Sequence, residues 1–123
     1  MITEDYVSFE VAKLLKSKKF HVPTRSHYDG QGGFGFCDIC EIDWNNYKCF
    51  RQRRCYSAPT LQMAMKWLRK VHNIDISIIP LRSHKEYLPR IESDTISHDC
   101  ISYRKFEDAC EVAIIYCLEH IIK

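Results

Sequence analysis

The chain has 123 residues, 46% of them hydrophobic and 28% charged, which is the composition of a globular domain and excludes a disordered tail, a collagen-like fibre or a coiled coil. Eighteen Lys and Arg against 16 Asp and Glu leave a formal charge of +2, too little to imply a polyanionic partner from charge balance alone. With only 4 Gly and 4 Pro there is little room for linkers, and residues 1–123 are expected to form a single domain.

The amino-terminal Met1-Ile2-Thr3-Glu4-Asp5-Tyr6 is acidic where a signal peptide is basic. No stretch approaches the roughly 20 apolar residues of a membrane span. The expectation is a cytoplasmic protein with no membrane partner. Residues 8–19 then read as a helix, with Ser8 as N-cap and Val11, Leu14 and Leu15 at helical spacing. Lys16, Lys18 and Lys19 gather where the helix dipole favours cations.

Residues 24–35 are polar and Gly-rich, with turn signals at Asp29-Gly30 and Gly32-Gly33. The run Gly30-Gln31-Gly32-Gly33-Phe34-Gly35 lacks the Gly-Lys-Ser/Thr ending of a phosphate loop and reads as a flexible loop. Residues 36–56 suit two strands joined near Asn45-Asn46.

The strongest helical pattern covers about Pro59 to His72, with Pro59 in its first turn. Leu61, Ala64, Met65, Leu68 and Val71 make an apolar stripe, Trp67 stands on its shoulder, and Asn73 suits a left-handed cap. Ile74 to Ile78 alternates as a half-buried strand, which Pro80 is expected to end. Tyr87–Ile91 and Asp99–Tyr103 are weaker strands, and Pro89 points to a sheet edge. A last helix over about Phe106–Ile121 is expected to bury Phe106, Ala109, Cys110, Ala113, Cys117 and Ile121. Locally linked elements of both kinds predict an α+β fold, a small antiparallel sheet of four to five strands with three helices mainly on one face.

Seven cysteines without a secretion signal argue against a disulfide framework. Cys100, Cys110 and Cys117 read as small buried hydrophobes. Cys37, Cys40, Cys49 and Cys55 follow a C-x2-C-x8-C-x5-C spacing. The first pair has the bite of a zinc site, whereas the second lacks ideal spacing and no glycine shapes a knuckle. The alternatives are a structural Zn²⁺ and four reduced thiols on a hairpin without a cofactor. A redox role for Cys37-Cys40 is opposed by the negative charge of Asp38 and Glu41. His98 and Cys100 share a strand face, the minimum for a Cys–His nucleophile, but no further catalytic set accompanies them.

Trp44, Tyr47, Arg51, Arg53 and Arg54 interleave rings with cations. Trp, Tyr and Arg are common anchors of protein interfaces, and the same types stack on bases and contact phosphates. These five are the expected partner-binding residues, with nucleic acid as the alternative partner.

Three segments carry a resemblance: Ser57-Ala58-Pro59-Thr60-Leu61-Gln62-Met63-Ala64-Met65-Lys66-Trp67-Leu68-Arg69 running into Val71-His72-Asn73-Ile74-Asp75-Ile76, the closing Phe106-Glu107-Asp108-Ala109-Cys110-Glu111 with Tyr116-Cys117-Leu118-Glu119, and the opening Tyr6 to Lys16. Together they resemble a group of small uncharacterised proteins of gut anaerobes and their phages or prophages. The resemblance spans most of the chain except residues 24–56 and 82–100, and it implies no particular activity. With the irregular insertions it leads to an expected binding or adaptor module, non-enzymatic, engaging a host or phage protein or a small ligand. The Pro80–Ile91 edge is a surface on which a second copy of the chain can pair as a homodimer.

Overall fold

A computed structural model describes residues 2–47 and 54–123. They form an α+β arrangement with three helices and two separate three-stranded antiparallel sheets, in place of the one sheet of four to five strands expected. The chain divides into two compact units, one ending at Thr60 and the other beginning at Leu61.

In the first unit, helix α1 spans Phe9–Ser17. The Ser8 hydroxyl accepts from the Val11 amide, satisfying one of the helix's orphan donors. Val11, Ala12 and Leu15 face the interior. The helix ends where Lys19 turns left-handed at φ 66°. The Phe20 amide then bonds back to the Leu15 carbonyl, which tucks the Phe20 ring into the core.

Strands β1 (Ser26–Tyr28), β2 (Phe34–Phe36) and β3 (Tyr56–Ser57) form a sheet in the order β2-β1-β3. The hairpin therefore falls at residues 29–33 and not at Asn45-Asn46. The reason is local. Asp29 Oδ1 accepts from the Gln31 and Gly33 amides at 2.8 and 2.9 Å, and Gly32 supplies the φ of 90° that the turn needs. A Cβ at Gly32 would also stand 3.0 Å from the Phe9 ring. Asn45, expected in a hairpin turn, instead spends its side chain inside: Nδ2 donates to the Phe20 carbonyl and Oδ1 accepts from the Ser57 amide.

In the second unit, helix α2 spans Leu61–His72, so Pro59 lies before the helix and not in its first turn. Its carbonyl instead receives the Val7 amide. Leu61, Ala64, Met65, Trp67 and Leu68 are buried, but Val71 is 61% exposed. The buried stripe runs toward Trp67, one step round the helix from the expected side. Asn73 adopts the left-handed cap at φ 55°.

Strands β4 (Asp75–Leu81), β5 (Glu86–Glu92) and β6 (Ser97–Asp99) follow in the order β4-β5-β6. Pro80 does not end β4, and Pro89 lies in the central strand and not at an edge. The hydrogen-bond pattern explains both. Tyr87 exchanges both backbone bonds with Tyr103, and the Cys100 amide donates to the Pro89 carbonyl. Two residues, Ile101 and Ser102, therefore oppose the single Leu88, a bulge at which the missing Pro89 N–H is tolerated. Because Tyr87 directs its amide and carbonyl at Tyr103, its partner Pro80 on β4 is a position that makes no ladder bond to β5.

Helix α3 spans Phe106–Tyr116 and continues as a π-helical turn over Cys117–Ile121, closed by the Ile122 amide on the Cys117 carbonyl. Ala109, Cys110, Ala113 and Cys117 are buried as expected, whereas Phe106 is partly exposed and Ile114 and Leu118 replace it and Ile121 in the core. The wider last turn shifts the apolar face away from a strict 3.6-residue period. Among the described residues no helix is long and apolar enough to cross a membrane.

Candidate functional site

The first unit carries an open cleft of about 460 Å³ lined by Asp29, Gly30, Gln31, Arg54 and Tyr56. Its rim is the β1–β2 turn, held rigid by the Asp29 carboxylate described above. Its floor is the start of β3, where Tyr56 pairs with Tyr28. The Tyr56 ring is fixed edge-on against Phe9 at 5.5 Å, and the Lys16 ammonium sits 4.8 Å from its centre. Lys16 reaches this position from α1 because its Nζ donates to the Cys55 carbonyl at 3.0 Å. Burial, and secondarily the nearby Arg54 guanidinium, hold the Lys16 ammonium below its ordinary pKa. Arg54 itself is exposed.

The cleft thus joins a positively charged side, a clamped aromatic ring and a carboxylate whose Oδ1 already receives two amides. Such a lining can accept an anionic group beside an apolar or planar one. The Asp29 charge in the same lining works against a continuous run of phosphates.

Of the five expected partner-binding residues, only Arg54 lines this cleft. Trp44 is 7% exposed, donates its indole N–H to the Thr24 carbonyl at 2.8 Å and stacks on His27 at 4.0 Å. It is a core residue and not a surface anchor. A Trp among cations reads as a contact residue in sequence, but its single polar atom is satisfied internally, which lets the ring be buried. Tyr47 is 43% exposed and packs edge-on against Trp44. Arg51 and Arg53 lie outside the described residues. Sequence reading missed Lys16, Asp29 and Tyr56. The usable signal was Tyr56 close to Arg54, together with an Asp-Gly turn able to face it.

Among the described residues the cysteines of the C-x2-C-x8-C-x5-C spacing do not gather as a set. The Cys37 and Cys40 sulfurs are 2.6 Å apart and partly exposed, Cys55 is buried, and Cys49 lies outside the described residues. Among the described residues no three His, Cys, Asp or Glu side chains gather as a metal site, so Cys55 does not join the first pair. The hydrogen bond from Cys40, helped by the Ile39 and Cys40 amides, lowers the Cys37 pKa, while the same contact raises that of Cys40.

The His98 ring lies flat on Tyr116 at 4.2 Å. Burial and then Asp99 push the Cys100 thiol up, and burial raises Cys117 to about 12. A thiol held protonated is a poor nucleophile. The second unit has its own smaller opening, about 320 Å³, between the β4–β5 turn and Arg104.

No known protein family, curated protein or solved structure matches this chain.

Proposed function

We propose that the protein is a non-enzymatic binding or adaptor module, acting in the cytoplasm, whose first unit holds an acidic side chain or terminal carboxylate of a protein partner. The supporting observation is the cleft lined by Arg54, the clamped Tyr56 ring and Asp29. Arg and Tyr are among the side chains that carry most interface energy, and the mixed charge suits a protein surface better than a polyanion. The host or phage origin of that partner follows from the family resemblance alone.

Immobilised wild-type protein and an Arg54→Glu variant, challenged with nuclease-treated lysate, test the reading. A protein retained by the wild type and lost on the variant, with little change between about 0.1 and 0.5 M salt, is the expected result. Equal retention on both would sink it. Recovery of nucleic acid alone, with affinity collapsing as salt rises, would transfer the site to the nucleic-acid alternative.

A further inference from the structure

We propose that Cys37 and Cys40 form a dithiol site for thiol–disulfide exchange, oxidised to an intraloop disulfide by a low-molecular-weight disulfide such as oxidised glutathione.

The loop that carries the pair is pinned at both ends. The Cys37 amide bonds to the Arg25 carbonyl at 2.8 Å as the chain leaves β2. Ile42 and Thr24 then exchange both backbone bonds at 3.0 Å. Ordering the four intervening residues is therefore part of folding, and closing the ring adds little conformational cost. The two sulfurs stand 2.6 Å apart, already within van der Waals contact.

The surroundings favour Cys37 as the attacking group. The contact with the Cys40 sulfur, helped by the Ile39 and Cys40 amides, holds the Cys37 thiol below its ordinary pKa. Donors of this kind stabilise a thiolate. Of the two acidic neighbours, Glu41 turns toward Arg25, with 3.9 Å between the charged atoms, which leaves Asp38 as the opposing charge. Access is open: both cysteines are partly exposed, and Ile39 between them is 92% exposed. Cys55, Cys110 and Cys117 are buried.

The chemistry balances as two displacements. The Cys37 thiol loses its proton to solvent, and the thiolate attacks one sulfur of the reagent, forming a mixed disulfide and expelling one thiolate. Cys40 then loses its proton and attacks the Cys37 sulfur, breaking that mixed bond and expelling the second thiolate. The two released thiolates take up the two protons. The protein pair is oxidised by two electrons, and the reagent is reduced to two thiols.

The test uses the full chain in glutathione redox buffers, acid-quenched and read by peptide mass spectrometry. The wild type is expected to lose two hydrogens within the peptide carrying Cys37 and Cys40, with little glutathione attached. A Cys40→Ser variant is expected to accumulate glutathione on Cys37. A Cys37→Ser variant is expected to leave Cys40 largely unmodified. Circular dichroism of each variant establishes that the fold is retained, and the wild-type result does not depend on any substitution. Persistent mixed disulfide at Cys37 in the wild type would overturn the proposal. So would oxidation of Cys100 ahead of this pair, or stoichiometric zinc released from the purified protein by a thiol-blocking reagent. The last outcome would make the pair metal ligands.

Discussion

Replacing Trp44 distinguishes a core tryptophan from a surface anchor. The indole is 7% exposed, stacked on His27 at 4.0 Å, and its N–H is spent on the Thr24 carbonyl at 2.8 Å. Truncating a buried Trp to Ala costs about 3–5 kcal/mol, because transfer energy is lost and the cavity collapses only partly. That is a large share of the roughly 5–15 kcal/mol that holds a typical domain together. Trp44→Phe keeps most of the ring and leaves the Thr24 carbonyl bonded to the Ile42 amide, so the lost indole hydrogen bond costs about 0.5–1.5 kcal/mol. The two substitutions should therefore rank Ala well below Phe and Phe below wild type in urea midpoint. Far-UV circular dichroism is the appropriate probe, since Trp67 would confuse fluorescence. An exposed anchor would behave differently, with Trp44→Ala within about 0.5 kcal/mol of wild type. That outcome would refute the packing argument and return Trp44 to the surface.

Further expectations concern the same core and the second sheet. Burial holds His27 below its ordinary value of 6.5, so the fold favours the neutral ring. Its contribution is complete above that value and is lost as pH falls from it toward the depressed folded value. His27→Phe should keep the stacking and flatten this part of the pH–stability profile; an unchanged slope in urea midpoints between about pH 7.5 and 5 would contradict the assignment. A Cβ at Gly35 would lie 2.6 Å from the His27 ring, which is already held against Trp44. Gly35→Ala should cost about 1–3 kcal/mol in chemical denaturation, and a neutral result would show that the ring can retreat. The bond from Arg90, first, holds the Asp99 carboxyl below its ordinary range. Stability from that pair is present above the ordinary aspartate value and lost as pH drops through the folded one. Asp99→Asn should remove that acid-range dependence, as a pH titration of thermal unfolding would record.

What could be read from the sequence was what short-range chemistry decides. Ser8 caps α1 because its hydroxyl reaches three residues on, and Asn73 stops α2 because Asn tolerates the left-handed region. The alternation of Ile74 to Ile78 announced β4. The first sheet was not legible, because β3 pairs with a strand about thirty residues earlier and is only two residues long. Nothing in Tyr56-Ser57 signals that partner. Asn45 misled for a related reason: its turn propensity is real, but its amide bridges Phe20 and Ser57 across the fold, a tertiary use that local preference does not encode. At the candidate cleft, Arg54 was legible as an exposed cation. Lys16 was not, since its role depends on reaching a carbonyl 39 residues away.

The two prolines of the second sheet bear on how this protein meets other copies of itself. Pro80 is the next-to-last residue of β4, an outer strand, at a position whose nitrogen points away from β5, and there it has no hydrogen to offer an incoming chain. A strand from a neighbour laid along that side would find its ladder cut short at the Pro80 end. A single ring thus shortens the usable edge of this strand. A second copy approaching along β4 would find backbone partners only in the stretch before that ring, from Asp75 to Ile79.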